Sequence, residues 1–289
     1  MDKKKHQPPL TVEEQILNLK SIGLTMVDEE DAKDFLNDVS YFRFIKAYSL
    51  NLKEKNGMYY NGVSFEKLKH LYLFNANFRQ ILFPQIEMIE INLRCRVANH
   101  FSHKYGVLGY EDPINFINIE HHTAFMHDIN VEINRNSKSP FVKNFKLNYE
   151  EGKIPFYALI ELFSFGLLSK FYKNMKIEDK KIIANSFNVG YKYLESWIES
   201  IAYVRNICAH YGRLYNARLT KTPKLYKQYT YEKIRNNRIY SILLCLSHLI
   251  VHDRHWEEFV DTIEGLLEKY SDVNKELMGF PNNWKDYLV

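Results

Sequence analysis

Long stretches without a helix breaker, carrying apolar residues at helical spacing, constrain this chain more than any other feature. From Trp197 the apolar residues recur as Trp197, Ile201, Val204, Cys208, Tyr211 and Tyr215, in alternating steps of four and three, the repeat of one buried helix face. Gly (11) and Pro (8) are outnumbered by Tyr (21) and Phe (19), so turns are sparse and helices favoured. The pattern predicts an all-α fold. With 289 residues, 46% of them hydrophobic and 15% aromatic, the chain has ample material for a core.

Residues 1–10 read as a flexible tail. Thr11-Val12-Glu13-Glu14 has the form of a capping box opening a helix that ends near Gly23, and a second helical stretch spans Asp28 to about Leu52. Turn signals at Lys55-Asn56-Gly57 and Asn61-Gly62 flank Met58-Tyr59-Tyr60 and predict a small hairpin near 53–63. Ser64–Leu82 and Pro84–Tyr105 read as two helices separated at Pro84, and 118–136 as a polar helix. The stretch 138–155 reads as a connecting segment between an N-terminal helical region, 11–137, and a C-terminal domain, 156–289. Helices are expected there at about 156–175, 178–187, 191–216, 231–253 and 255–270.

The formal charge of +4 permits RNA, DNA or protein partners and compels none. Cys95, Cys208 and Cys245 are odd in number and widely spaced, which excludes a disulfide framework or zinc-finger spacing and fits a reducing cytoplasm. Neither a signal peptide nor a membrane span is expected: the N-terminus lacks an apolar core, and the longest apolar run, Ile242 to Val251, is interrupted by Ser247 and His248.

Arg205-Asn206-Ile207-Cys208-Ala209-His210 carries the candidate chemistry. On the predicted helix Asn206, His210 and Arg213 share a polar stripe, toward which the long Arg205 side chain can swing. Metal-free RNA cleavage needs a base for the 2′-hydroxyl proton, an acid for the 5′-oxygen and positive charge for the pentacovalent phosphate. Histidine serves either proton role near neutral pH, arginine matches phosphate oxygens with a permanent charge, and asparagine orients phosphate or imidazole. The same spacing also fits an ordinary helix making surface or core contacts. Ile89–His100 resembles Ser200–His210 with one residue gapped, so Arg94 and His100 are candidates for a second half-site by internal duplication. Glu90 and Arg94, four apart, equally suit an ordinary surface ion pair.

Downstream, cations at Arg213, Arg218, Lys221, Lys224, Lys227, Lys233, Arg235 and Arg238 face the single acid Glu232, with Tyr211, Tyr215, Tyr226, Tyr229, Tyr231 and Tyr240 interleaved. Such a strip reads as an RNA groove in which cations meet phosphates and tyrosines stack on bases, or as a solvated loop. Arg213, Tyr215, Asn216, Arg218, Lys221, Lys224, Lys227, Arg235 and Arg238 are its candidate RNA-binding residues. His248, His252 and His255 recur at steps of four and three, but only Asp253, off their face, accompanies them, and no metal or other cofactor is expected. His121, His122 and His127 are expected exposed or facing RNA. Phe35, Tyr41, Phe42, Phe44 and Tyr48 are expected in the core.

The run Arg205-Asn206-Ile207-Cys208-Ala209-His210 resembles the R-N-x3-H motif of HEPN ribonucleases, and its continuation Tyr211-Gly212-Arg213-Leu214-Tyr215-Asn216 resembles Abi-like (AbiD/AbiF) abortive infection proteins. Tyr41 to Tyr48 is similar to that family's Y-x-R-x3-[GA]-Y segment, Glu90-Ile91-Asn92-Leu93-Arg94 to its E-I-x-L-R, and Pro155-Phe156-Tyr157 through Phe165-Gly166-Leu167-Leu168-Ser169-Lys170 to its helix ending in F-G-x-L-S. Together these segments span roughly residues 40 to 220. The resemblance implies a HEPN-type helical bundle, or two pseudo-repeated HEPN-like units, acting as a metal-independent endoribonuclease toxin in bacterial defence against phage. It carries over Arg205, Asn206 and His210 as catalytic residues. HEPN nucleases generally pair two such helices across a dimer, so the resemblance implies either a homodimer through the motif helix or an intramolecular pseudo-dimer using Arg94 and His100. Cys95 departs from the motif, which usually has a polar residue there. The resemblance further implies control by a small non-coding RNA. Two alternatives from other classes stand beside the nuclease: a non-catalytic RNA-binding protein, and a phage-sensing interaction protein.

Overall fold

The computed structural model describes residues 8–250 and 254–288. Among these residues the chain is mostly helical, with isolated β-bridges and no sheet, as the all-α expectation requires. Two compact units divide it: one ends at Phe78 and takes in Glu264–Asn274, and the other covers Arg79–Ile263 and resumes at Lys275. The units therefore part elsewhere than at 138–155.

In the first unit, helix α1 (Val12–Ser21) starts as its sequence dictates: the Glu14 N–H donates to the Thr11 hydroxyl at 3.2 Å, and the Thr11 N–H donates to the Glu14 carboxylate at 2.8 Å. Helix α2 (Glu29–Asp38) is capped by Asp28 and stops at Val39, short of the expected Leu52. One π-helical turn follows at Phe42–Lys46. It buries Phe44, but Phe42 is 78% exposed and lies outside the expected core, because residues two apart on a helical turn face different ways. The hairpin near 53–63 is a single bridge, Lys53 with Tyr59, closed by the Glu54 N–H on the Met58 carbonyl at 2.8 Å.

Helix α3 (Phe65–Tyr105) continues for 41 residues without a break at Pro84, where the sequence pattern predicted one. A proline inside a helix costs about 3 kcal/mol through its missing N–H and ring clash. Leu82, Ile86, Ile89, Leu93, Val97 and Phe101 form a stripe of side chains no more than 1% exposed. Each such burial is worth about 1.5–3 kcal/mol, so the stripe outweighs the proline.

The second unit continues with α4 (Ile119–Arg135), α5 (Pro140–Asn148), α6 (Phe156–Leu159), α7 (Phe165–Asn174), α8 (Ile177–Asn185), α9 (Tyr191–Ala209), α10 (Lys227–Tyr231), α11 (Tyr240–Leu249) and α12 (Arg254–Lys269), the last residues of α12 belonging to the first unit. The expected connecting segment thus holds a helix of its own, started by the Ser139 hydroxyl and by Pro140 at its first turn. Helix α9 is the centre, packed against α7, α8 and α11, with Leu194, Trp197, Ile198, Ile201 and Val204 all buried. Beside it Phe171 gathers Phe101, Phe116, Phe125 and Phe156 at ring separations of 4.9, 5.5, 5.1 and 4.7 Å. No single helix among the described residues is long and apolar enough to cross a membrane.

The far end of α3 is pinned through Asp179, whose side chain is fully buried on α8. It accepts from Lys104 Nζ at 2.6 Å and Tyr105 OH at 2.6 Å, and its Oδ1 lies 2.7 Å from His100 Nε2. Burial raises the proton affinity of this carboxyl, but the hydrogen bonds from Lys104, Tyr105 and His100 outweigh it and hold the group below its usual range. A depressed folded-state value means stability that is present above the unfolded value, about 3.9, and lost as pH falls through the lower folded one. Asp179→Asn is therefore expected to cost about 2 kcal/mol at pH 7. Urea unfolding should show the gap from the unsubstituted chain narrowing below about pH 4, and a gap independent of pH would contradict the assignment.

Candidate functional site

Helix α9 ends at Ala209, one residue before the histidine and not at 216. The Tyr211 N–H donates to the Cys208 carbonyl at 3.1 Å and the Gly212 N–H to the Ile207 carbonyl at 2.7 Å, while Tyr211 takes φ +58°. This is a Schellman ending with tyrosine in the left-handed position. Gly212 fits because a Cβ there would stand 2.7 Å from Ile207 Cγ2 and 3.0 Å from the Ile207 carbonyl oxygen. Arg79 Nη1 donates to the Gly212 carbonyl at 3.0 Å and braces the turn. The early stop takes Tyr211, Arg213 and Tyr215 off the helical stripes: Tyr215 is buried, and Tyr211 is 70% exposed. Asn206 and His210 remain one turn apart, both exposed.

Arg205 turns toward α3. Its Nε lies 3.4 Å from Glu90 Oε2 and its guanidinium 5.6 Å from the centroid of the Phe83 ring. The Nε–H is not aimed at that carboxylate, so this buried atom pairs by charge without a hydrogen bond, while the side chain as a whole is 35% exposed. Glu90 Oε1 accepts from Arg94 Nη2 at 2.8 Å. Arg94 also donates through Nη2 to the Phe163 carbonyl at 3.0 Å and through Nη1 to the Ile160 carbonyl, and its Nε lies 3.9 Å from Glu161. Phe83, Glu87, Glu90, Ile91, Arg94 and Arg205 line a cleft of about 120 Å³.

The structure does not bring Arg94 and His100 together as a second half-site. Arg94 is 9% exposed, with its guanidinium spent on Glu90 and on the turn before α7, and His100 is held by Asp179. Six residues of helix also set them about 120° apart around the axis. The Glu90–Arg94 pair is real, though buried rather than on the surface. Cys208 is no alternative nucleophile, since burial pushes its thiol up to about 12, against a smaller opposing effect of Arg79.

The basic strip is not one groove. Lys221 pairs with Glu199 at 2.7 Å, and at Lys224 the backbone N–H and carbonyl bond Ser196 Oγ and Trp197 Nε1 at 2.8 and 2.6 Å. This part lies along the N-terminal half of α9, away from His210. Lys227 is exposed at the start of α10. Arg238 is only 6% exposed and donates to Asn216 Oδ1 at 3.3 Å and to the Ala217 carbonyl at 3.0 Å. Burial, then the neighbouring Arg235, Arg218 and Arg213, lowers its affinity for its proton. The Leu219 N–H on the Asn237 carbonyl at 2.9 Å and Arg235 Nη2 on the Glu276 carbonyl at 3.1 Å complete this arginine-rich corner.

Most of the interleaved tyrosines belong to the core. Tyr215, Tyr229 and Tyr240 are buried, and Tyr226 packs on Tyr193, Trp197 and His248. Tyr231 is 80% exposed. His248 hydrogen-bonds Tyr229 OH at 2.8 Å, His255 is exposed near Glu258, and His252 and Asp253 lie outside the described residues. Among the described residues no group of His, Cys, Asp or Glu is arranged to hold a metal ion. His122, expected exposed, is buried against Phe116 with Nε2 2.9 Å from the Tyr110 carbonyl oxygen, because position 122 falls on the inner face of α4 with Phe125 and Ile129.

Sequence reasoning missed Arg79 and Phe83, and saw Glu90 only as an ion-pair partner. Its position beside the apolar stripe of Ile86, Ile89 and Leu93 was the available signal, since a charge there must find a buried partner. Through Glu90 and Arg94 the E-I-x-L-R segment, the turn before F-G-x-L-S and the R-N-x3-H segment meet at one place. The sequence profile of Abi-like proteins matches residues 34–216. The chain belongs to the Abi-like protein family. This family is named for abortive infection, the bacterial response to phage, and the match ends at Asn216, just beyond the turn that closes α9. No curated protein and no solved structure matches the chain.

Proposed function

We propose that this Abi-like protein is a metal-independent endoribonuclease of the HEPN type, acting as a defence toxin against phage. The observation that carries the reading is the pairing of exposed Asn206, on the last turn of α9, and exposed His210, which caps it, with an adjacent arginine that Glu90 holds at an open cleft. His210 moves protons to and from the ribose oxygens, Arg205 meets the phosphorane charge, and Asn206 orients phosphate or imidazole. One histidine must otherwise serve both proton roles. A second copy of the chain, contributing its own motif helix, supplies the other.

At the arginine-rich corner the exposed Arg218 and Arg235, beside the buried Arg238, favour RNA as the partner, either substrate or a restraining small non-coding RNA. The same corner supports a second reading, a protein that holds a structured RNA without cutting it.

Incubation of RNA-free protein with total cellular RNA in EDTA separates the two. Wild type should leave new ends carrying 2′,3′-cyclic phosphate, and an Arg205→Ala/His210→Ala double variant should leave none. Discrete RNA bound equally by both, without cleavage by either, would establish the second reading.

A further inference from the structure

The carboxylate of Glu90 lies between two arginines that differ in what they have left to offer. Arg94 donates to two main-chain carbonyls and to Glu90, and its side chain is 11% exposed. Arg205 is three times as open, 35%, and its charge partners are Glu90 at Nε and the Phe83 ring beneath the guanidinium. An arginine steered from its Nε edge and backed by an aromatic face presents its two terminal amino groups, the fork that matches phosphate oxygens.

We propose that Glu90 is a positioning residue for Arg205, and that Arg94 anchors Glu90 to the turn before α7, so that the fork of Arg205 is held ready for a phosphodiester group. Arg94 thereby takes the role of a support in place of a second half-site. The ligand class rests on the ribonuclease reading, whereas the positioning does not. Glu90 also tunes the site: its charge offsets that of Arg205 in the resting state, which keeps the cleft from holding stray anions while leaving the fork in place for the larger charge of a pentacovalent phosphate. A misplacement of about 1 Å in such a group lowers rate by about 100-fold, so loss of the carboxylate should act almost wholly through Arg205.

Two measurements on the full chain test this. The first follows the side-chain Nε–H signal of Arg205 by nuclear magnetic resonance, assigned by its disappearance in Arg205→Ala. It should be sharp and distinct in wild type, shifted toward that of a free arginine in Glu90→Gln, and intermediate in Glu90→Asp, which keeps the charge and the Arg94 pair should Glu90→Gln fail to fold. The second is a double-substitution cycle on single-turnover RNA cleavage at saturating RNA. Glu90→Gln should lower the rate about 10–100-fold in the wild-type background and have almost no further effect in Arg205→Ala.

An unchanged Arg205 signal in both Glu90 variants would overturn the proposal, as would an equal loss of rate in both backgrounds, the mark of a merely structural residue. A signal released by Glu90→Gln in a protein that cleaves no RNA would support the positioning while removing the ribonuclease reading.

Discussion

Replacing His210 by alanine is expected to lower RNA cleavage by about 10²–10⁴-fold, the usual contribution of a positioned proton-transfer group. The side chain is exposed at the end of α9, where its backbone N–H, not its ring, closes the helix onto the Asn206 carbonyl at 3.0 Å. Stability should therefore change by no more than about 0.5 kcal/mol, which makes the variant a clean test of chemistry. Arg205→Ala is expected to cost about 10²–10³-fold, and Arg205→Lys to recover little of it, because a point charge cannot reproduce the fork over the Phe83 ring. The measurement is single-turnover cleavage of an RNA identified from total RNA, with thermal melting of each variant alongside. A His210→Ala rate within threefold of wild type, at equal melting temperature, would remove His210 from the mechanism.

Phe171→Ala is expected to destabilise the second unit by about 3–5 kcal/mol, the range for emptying a buried phenylalanine site. The ring is 1% exposed and packs against Phe101, Phe116, Phe125 and Phe156, which come from α3, the loop after it, α4 and α6. Elements this separate in sequence cannot all close on the space, so most of the cavity should remain. For a unit of this size the loss corresponds to a fall in melting temperature of about 10 °C, readable by circular dichroism. Because the carbonyls that hold Arg94 lie in the turn between α6 and α7, the same substitution is expected to lower activity beyond the unfolded fraction. A melting temperature within about 2 °C of wild type would show that this cluster is not the core of the unit.

The sequence by itself determined the secondary structure class and much of its punctuation, because these depend on interactions within a few residues. The capping box of Thr11 and Glu14, the helix starts near Asp28 and Asn118, and the amphipathic run from Trp197 as far as Cys208 are all local, and these stand where their residues place them. It also made Arg205, Asn206 and His210 legible as a set, since helical spacing alone puts Asn206 and His210 one turn apart. Two local signals were outweighed or misjudged. Pro84 predicted a break that the buried stripe of α3 overrides, and Gly212 offered a stop that the apolar residues Tyr211 and Tyr215 concealed. The tertiary structure alone decided which charges meet. Glu90 and Arg205 are 115 residues apart, taking 205 minus 90, and Arg94 meets carbonyls 66 and 69 residues away. No periodicity encodes such pairings, because a buried carboxylate is satisfied by whichever cation the packed helices deliver to it, and that delivery is set by the core. The division of the basic strip has the same cause. Lys221 and Arg238 look alike in sequence, and only packing sends one to an exposed ion pair on α9 and buries the other against Asn216 and Ala217.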